Sequence, residues 1–179
     1  PALGAQGLIF HIGTAKNQSH DDVLDKVVRA MKQVLENVPG HAQLIMENAA
    51  GSGQKIGTTA AEMGEIFHAL KSPRVKVCID TAHAFESGTI GEFTPANIKN
   101  FLDEWDSCVG VENIVALHTN DSKTPAGSHN DRHENIGEGY IGLKGFQNLA
   151  AEPRLHDKAW LLKSQASTTK GLTKRIWRY

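Results

Sequence analysis

Short apolar runs that alternate with helical patterns constrain the fold of this chain more than any other feature. Each run is followed by turn residues and then by a segment with the apolar spacing of an amphipathic helix. The runs cover residues 8–12, 44–48, 75–80 and 114–118, and a shorter one covers residues 159–162. Strands this apolar are buried on both faces, as they are in parallel sheets covered by helices. The sequence therefore predicts an α/β fold of successive βα units.

The helical segments carry recognisable start and stop signals. The first helix is expected to begin at the cap Ser19, with Asp21 and Asp22 in its first turn, and to end at Pro39-Gly40. Further helices are expected near residues 59–70, 95–105 and 144–151, and a long polar loop over residues 119–142. The apolar face of the first helix combines Val23, Val27, Val28, Met31, Val34 and Leu35.

The composition restricts the classes of function. A net charge of -1 argues against a broad basic surface for nucleic acid, although bound divalent ions would add positive charge at one site. No stretch approaches the roughly 18 consecutive apolar residues of a membrane span, so we expect no membrane partner. Cys78 and Cys108 make no disulfide framework, and the cytoplasm is the expected compartment.

Residues of the types that bind metals stand at the ends of the predicted strands. His11, Glu47, Asp80 and His118 stand at or near the ends of successive runs, and His83 follows shortly after Asp80. The carboxyl ends of parallel strands meet at one edge, where folds of this class carry their chemistry. Histidine and carboxylate without cysteine suit zinc, or another borderline divalent ion, in a catalytic role. The sequence therefore predicts a metal centre at this edge.

The polar loop adds two further candidates, Asp131 and His133. In an extended segment their spacing directs both side chains to the same side. The other histidines fall off the strand ends and are interpreted as surface or helix positions, and Cys78 as a core residue. These histidines are His20, His41, His68, His129 and His156.

Three segments closely resemble the signature blocks of the endonuclease IV family. They are residues 45–53, residues 77–88 and the block from residue 117 to 142, and the likeness runs in order from about residue 3 to residue 162. The resemblance implies a TIM (β/α)8 barrel, here incomplete and limited to about strands 4 to 8. It also implies a monomeric DNA repair enzyme that uses three zinc ions. Its substrate would be double-stranded DNA, cleaved at the phosphodiester 5′ of an abasic site.

The same resemblance assigns one complete ligand set. His83, Asp131 and His133 match the ligands of one zinc ion. If they bind a single ion at about 2 Å, their ligand atoms should lie within about 3 to 5 Å of one another. We expect His83 to reach this position from a loop after the third strand.

A second group of residues matches the other two ions of the family. Asp80 and His118 match ligands of one ion, Glu47 matches the carboxylate that bridges it to the next, and His11 matches a ligand of that last ion. The resemblance makes Glu47, Asp80 and His118 the catalytic residues of a metal-assisted hydrolysis that needs no nucleophilic side chain.

Residues beside these ligands are candidates for DNA contact. The resemblance suggests Asn120, Lys123 and Arg132 as DNA-binding residues. Asn120, Asp121 and Lys123 are alternatively expected to orient ligands rather than to approach phosphate.

The chain departs from the family pattern at both ends. The strand ending in His11 corresponds to the family's fourth, so residues 1–162 are interpreted as a C-terminal barrel fragment that lacks three βα units and one histidine ligand. In the family, a glutamate ligand ends the last strand, whereas Lys163 follows Leu162 here. Residues 163–179 are interpreted as a frameshifted tail, because one added G after a CTG codon for Leu162 allows a reading that begins Glu-Lys-Pro-Ser. We therefore expect weak activity from this chain alone.

The sequence leaves two other functions open. Sugar isomerases and epimerases of the xylose isomerase-like barrels use Glu, Asp and His on one or two metal ions. A fragment without enzymatic function is the second alternative, because five strands of eight would leave open sheet edges available for aggregation or for pairing with a partner.

Overall fold

The centre of the protein is a parallel sheet of five strands. The computed structural model describes residues 4–162, and each neighbouring pair of strands in this sheet is parallel. In chain order the strands are β1 (Gly7–His11), β2 (Gln43–Glu47), β3 (Val75–Asp80), β4 (Ile114–His118), β5 (Asp121–Ser122), β6 (His133–Glu134) and β7 (Ala159–Leu161). The sheet order is β1-β2-β3-β4-β7, and β5 pairs separately with β6. The predicted α/β fold of successive βα units is confirmed.

Helices connect the strands of the parallel sheet. They are α1 (His20–Asn37), α2 (Ala60–Leu70), α3 (Thr81–Ser87), α4 (Pro95–Val109) and α5 (Gly142–Ala150). Ser19, Thr59 and Thr94 each cap a helix by accepting a hydrogen bond from a backbone N–H of the first turn. The predicted cap at Ser19 is therefore confirmed, and the other predicted helices are found within a few residues of their expected bounds.

Alternation along the strands separates two apolar clusters. Leu44 and Met46 belong to the main core, where the sheet packs against the helices. Ile45, Cys78 and Ala116 form a small second cluster, and their positions between residues of the first cluster place them on the opposite face. Cys78 is fully buried, as predicted for a core residue.

The βα connection after β3 differs from the prediction. A loop is predicted there, but α3 begins at Thr81, directly after the strand. Asp80 makes this start possible because its side chain accepts a hydrogen bond from the backbone N–H of His83. A helix of seven residues is too short to show an apolar period in the sequence.

The sheet is not closed within residues 4–162. In the described part of the chain, β1 and β7 each pair with a single neighbour. Leu8 on β1 is 64% exposed and lines an apolar groove together with Phe10, Val27 and Val34. An open parallel sheet with an exposed apolar edge is the arrangement expected of an incomplete barrel.

Residues 163–179 lie outside the described residues. The predicted aberrant tail, with Lys163 in place of a ligand, therefore stays a prediction. So do the expected monomeric state and the expected cytoplasmic location. Between residues 4 and 162, no helix combines the length and the apolarity that crossing a membrane requires.

Candidate metal centre

The second face of the sheet ends in a row of polar side chains. His11, Glu47, Asp80 and His118 are the last residues of β1 to β4. In the register of the sheet, His11 is paired with Glu47 and Asp80 with His118. Each of these four residues lies two positions beyond a residue that forms the small second cluster or, in the case of Ile9 before His11, packs against it, so alternation directs all four to the same face.

Glu47 is the central carboxylate of this row. It is 3% exposed. Its Oε1 lies 2.6 Å from Nδ1 of His118, and its Oε2 lies 3.3 Å from Nε2 of His11. Because each carboxylate oxygen faces a different histidine, the side chain has the geometry that a bridging ligand requires.

The two oxygens of Asp80 have different partners. Oδ1 accepts the hydrogen bond from the backbone N–H of His83 that caps α3. Oδ2 accepts a hydrogen bond of 2.6 Å from the Asn120 amide and lies 3.7 Å from Nε2 of His133 and 3.9 Å from Nδ1 of His118. Asp80 is fully buried, so Asn120 holds Oδ2 toward the two imidazole rings.

His83 on α3, Asp131 on the loop that leads into β6 and His133 at the start of β6 converge. Oδ1 of Asp131 lies 3.3 Å from Nε2 of His83 and 3.5 Å from Nε2 of His133. The two Nε2 atoms lie 3.2 Å apart. The structure therefore brings these atoms together within the predicted distances, with His83 on a helix rather than on the predicted loop.

The ring of His83 is oriented by the backbone of β2. Its Nδ1 donates a hydrogen bond of 2.8 Å to the carbonyl oxygen of Asn48, so that Nε2 faces Asp131 and His133. Metal-binding histidines are commonly held in this way through the nitrogen that does not bind the ion. Without an ion, burial alone would lower the pKa of His83. The hydrogen bond to Asp131 and the negative charges of Asp80 and Asp131 instead raise that pKa to about 9.

Asp131 is held from its other side by Lys55. The Lys55 ammonium lies 2.9 Å from Oδ2 of Asp131, and Oδ1 therefore points to the histidines. The hydrogen bond with His83, supported by Lys55, holds the pKa of the Asp131 carboxyl well below its usual range. Asp131 is accordingly an anion at neutral pH and a ready partner for a cation.

The donor atoms of this cluster fit a divalent metal ion. Within each of three groups, ligand atoms lie within 4.8 Å of one another: Glu47 with Asp80 and His118, Asp80 with His83 and His133, and His11 with Glu47 and His83. Histidine nitrogens and carboxylate oxygens are suitable zinc ligands. In the last group, Nδ1 of His83 lies 3.7 Å from Oε1 of Glu47 but already donates to Asn48. His83 is therefore better placed to bind an ion through Nε2.

The predicted DNA-binding residues lie in two different environments. Asn120 is 1% exposed and donates its side-chain amide to Asp80, which favours the alternative role of orienting a ligand. Lys123 is exposed and lies 3.6 Å from Glu134, and Arg132 is exposed beside Asp131. Lys123 and Arg132 are therefore accessible to a polyanion.

The carboxylate of Asp121 is occupied by contacts with the turn before α5. Asp121 is fully buried, and its carboxylate accepts hydrogen bonds from the backbone N–H groups of Gly137, Gly139, Ile141 and Gly142. It shapes the turn before α5. The five histidines interpreted as surface or helix positions are all exposed, as predicted.

Several residues at the centre were not identified from the sequence. Asn48 pairs with the backbone of Asp80, Thr81 accepts from the backbone of Asn120, and Lys55 contacts Asp131. Glu86 lies on α3 and contacts the loop before β6. Asn48 follows Glu47 directly, which is a usable signal, whereas the contacts of Lys55 and Glu86 join segments that are distant in sequence.

Known proteins of related sequence match most of this chain. Residues 2–158 match the family described as xylose isomerase-like TIM barrel. The chain is 41% identical over 141 residues to a probable endonuclease 4 of Aquifex aeolicus, an alignment that covers 78% of this chain and 50% of the relative. The chain spans about half the length of the curated relatives that it matches.

Solved structures show the same relationship. Endonuclease IV from Thermus thermophilus superposes with a TM-score of 0.73 and 28% identity, over 93% of this chain and 57% of that one. A D-tagatose 3-epimerase-like protein superposes with a TM-score of 0.63 and 16% identity, over 91% of this chain and 57% of that one, which shows a shared fold alone. The sequence identity and the family match agree: this chain belongs to the endonuclease IV family of xylose isomerase-like TIM barrels.

Proposed function

We propose that this chain carries most of the metal site of a DNA repair endonuclease that cleaves the phosphodiester 5′ of abasic sites. The observation that carries the proposal is the convergence of His83, Asp131 and His133, whose ligand atoms lie 3.2 to 3.5 Å apart. The names of the Aquifex and Thermus relatives, both endonucleases, support this class of substrate.

In this proposal the site binds zinc in three positions. His83, Asp131 and His133 hold one ion. Asp80 and His118 would contribute to a second ion, His11 would contribute to a third, and Glu47 would serve the second and the third. The separate contacts of the two Glu47 oxygens with His118 and His11 support the bridging role.

Hydrolysis of a phosphodiester requires positive charge beside the phosphate, because the negative charge of the phosphate repels nucleophiles. Zinc ions bound here would supply Lewis acidity toward the phosphate oxygens and activate water for hydrolysis. The protein's own contribution is to fix the ligands. Asn120 orients Asp80, Lys55 orients Asp131, and the Asn48 carbonyl orients His83.

The DNA partner would approach the loop that contains Asp131 and His133. Lys123 and Arg132 are exposed on this loop, and their charges suit the phosphates that flank a cleavage site. Two cations suffice for local contacts with phosphate and are in keeping with the chain's overall charge of -1.

We expect the 179-residue chain by itself to be at most weakly active. The chain spans about half of its relatives, and in the proposal the second and third ions each lack one protein ligand. Loss of a ligand lowers metal affinity and disturbs the position of the ion.

The test combines metal analysis with a cleavage assay. The chain and a chimera completed with the N-terminal part of the Aquifex relative are analysed for zinc, then incubated with a duplex that contains one abasic site. The proposal predicts bound zinc in both and efficient 5′ cleavage by the chimera. His133→Asn should bind one zinc ion fewer and lose cleavage, and His156→Asn, at an exposed position outside the centre, should keep both properties.

Two results would overturn the proposal. The first is that neither the chain nor the chimera binds zinc. The other is a zinc-loaded chimera that leaves abasic DNA intact but epimerises or isomerises a ketose, as the sugar enzymes of this fold would.

A further inference from the structure

Glu86 is a buried carboxylate that is not among the proposed metal ligands or catalytic residues. It lies on α3, one helical turn after His83, and is fully buried. Its Oε1 accepts hydrogen bonds from the Ser122 hydroxyl at 2.7 Å and from the backbone N–H of Arg132 at 3.1 Å. Its Oε2 has no hydrogen-bond partner among residues 4–162. A carboxylate in this environment is costly, because burial removes its hydration and only one of its oxygens is compensated.

The partners of Glu86 belong to the segment that carries two candidate ligands. Arg132 stands between Asp131 and His133 in the sequence, so the hydrogen bond from its backbone N–H holds the chain between the two ligands. The backbone of α3 contacts the same segment twice more. Gly127 N–H donates to the Phe85 carbonyl at 3.0 Å, and His129 N–H donates to the Glu86 carbonyl at 2.8 Å.

Glu86 connects the two structural elements that carry one ligand set. His83 is fixed by α3 and His133 begins β6, whereas Asp131 ends the loop between β5 and β6, whose residues 123 and 125–130 are exposed. Among the side chains of α3, the Glu86 carboxylate reaches across to the backbone between these two ligands. An apolar side chain could fill the same space, but it could not accept the Arg132 N–H, which would then be left without this partner.

We propose that Glu86 is a positioning residue, which sets the distance between His83 on α3 and the pair formed by Asp131 before β6 and His133 at the start of β6. It acts through the backbone of Arg132 and binds neither metal ion nor substrate. The inference rests on the proposed function only in requiring that these three residues bind a metal ion.

The test measures metal affinity rather than activity. Zinc binding to the whole chain is determined by competition with a chromophoric chelator, and the visible absorption of bound Co²⁺ reports the geometry of the site. Glu86→Ala should lower the affinity of the first-bound ion by about 10-fold or more, as loss of residues that support ligands typically does. Glu86→Gln retains an acceptor at Oε1 and should keep affinity and spectrum close to the parent's. Glu104→Ala removes an exposed carboxylate from α4 and should change neither.

A second variant separates positioning from stability. Glu86→Asp keeps the buried charge but withdraws it from the Arg132 N–H. Glu86→Asp should lower the zinc affinity and alter the Co²⁺ spectrum, whereas Glu86→Gln should keep both close to the parent's. The comparison of these two variants tests the positioning role even if Glu86→Ala fails to fold. If the parent binds zinc and folded Glu86→Asp binds it with the parent's affinity and spectrum, the positioning role is wrong. If the parent itself binds no metal, the proposed function fails instead.

Discussion

The carbonyl oxygen of Asn48 lies 2.8 Å from Nδ1 of His83, so the end of β2 orients a side chain that belongs to α3. The contact also joins two parts of the centre, because the side chain of Asn48 pairs with the backbone of Asp80. Its Oδ1 accepts from the Asp80 N–H at 2.6 Å, and its Nδ2 donates to the Asp80 carbonyl at 3.2 Å. Asn48 therefore holds both His83 and Asp80 without being a ligand.

Asn48→Ala should lower the stability of the metal-free chain, although it keeps the backbone carbonyl that contacts His83. The substitution leaves the buried N–H and C=O of Asp80 without their side-chain partner, which should reduce the free energy of unfolding by about 1–3 kcal/mol. Urea unfolding of the metal-free chain measures this change. Asn100→Ala, at an exposed position on α4, is the control and should have little effect. A folded Asn48→Ala chain with the parent's stability would show that this pairing is unimportant.

Zinc binding should release a proton from His83. Its pKa is raised to about 9 in the metal-free chain, so the ring is charged at pH 7 and must lose the proton from Nε2 to bind an ion. Zinc affinity should therefore rise with pH until about pH 9. Calorimetry in buffers of different ionisation enthalpy counts the protons. His20→Asn is the control, because the pKa of His20 is also raised, by Glu65, but His20 lies outside the centre. Zinc binding without proton release at pH 7 would contradict the role of His83.

The same shift has a consequence for the metal-free fold. The pKa of His83 in the folded chain is higher than its ordinary value of 6.5. Its charge therefore stabilises the metal-free fold below about pH 6.5, and this contribution is lost as the pH rises through about 9. Thermal unfolding in the presence of a chelator should show this loss in the parent. His83→Gln, which cannot titrate, should lack it, and equal pH profiles for both chains would contradict the prediction.

Lys123 and Arg132 should contribute to DNA affinity through phosphate contacts. Replacing either by alanine should weaken binding to an abasic duplex and reduce the slope of log affinity against log salt by about 0.9. Fluorescence anisotropy at several salt concentrations measures the slope. Lys99→Ala removes an exposed cation that pairs with Asp103 on α4, and it should leave the slope unchanged. Equal slopes for all variants would remove these residues from the DNA interface.

Much of this centre could be predicted from the sequence because strand ends are marked by local patterns. The apolar runs that end in His11, Glu47, Asp80 and His118 indicate both the strands and the edge at which their side chains meet. The short helix α3 could not be predicted, since its start depends on one capping contact from Asp80. The burial of Asn120 could not be predicted from the sequence either. That burial depends on the packing of the residues after β4 against α3, where Thr81 contacts the backbone of Asn120.

The predicted frameshift after Leu162 makes a further position testable. The resemblance to the family aligns Lys163 with a glutamate ligand, and this stays a prediction because Lys163 lies outside the described residues. Lys163→Glu should strengthen zinc binding at Glu47, Asp80 and His118 by about 10-fold or more, because it supplies a carboxylate and removes a cation. Lys170→Glu makes the same change of charge farther along the tail and should have a much smaller effect.

Resequencing of the source DNA tests the origin of the tail directly. One additional G after the Leu162 codon, opening a frame that begins Glu-Lys-Pro-Ser, would establish the frameshift. An unchanged reading, together with no gain from Lys163→Glu, would show that the tail is genuine and that this position has no role at the metal centre.

In the proposed site, one ion is bound by side chains from α3, from the loop before β6 and from the first residue of β6. Anomalous diffraction at the zinc edge, on crystals of the zinc-loaded chain, locates that ion directly. We expect a peak about 2 Å from each of Nε2 of His83, Oδ1 of Asp131 and Nε2 of His133. A zinc-loaded crystal whose anomalous peaks all lie away from these three atoms would contradict the proposed site.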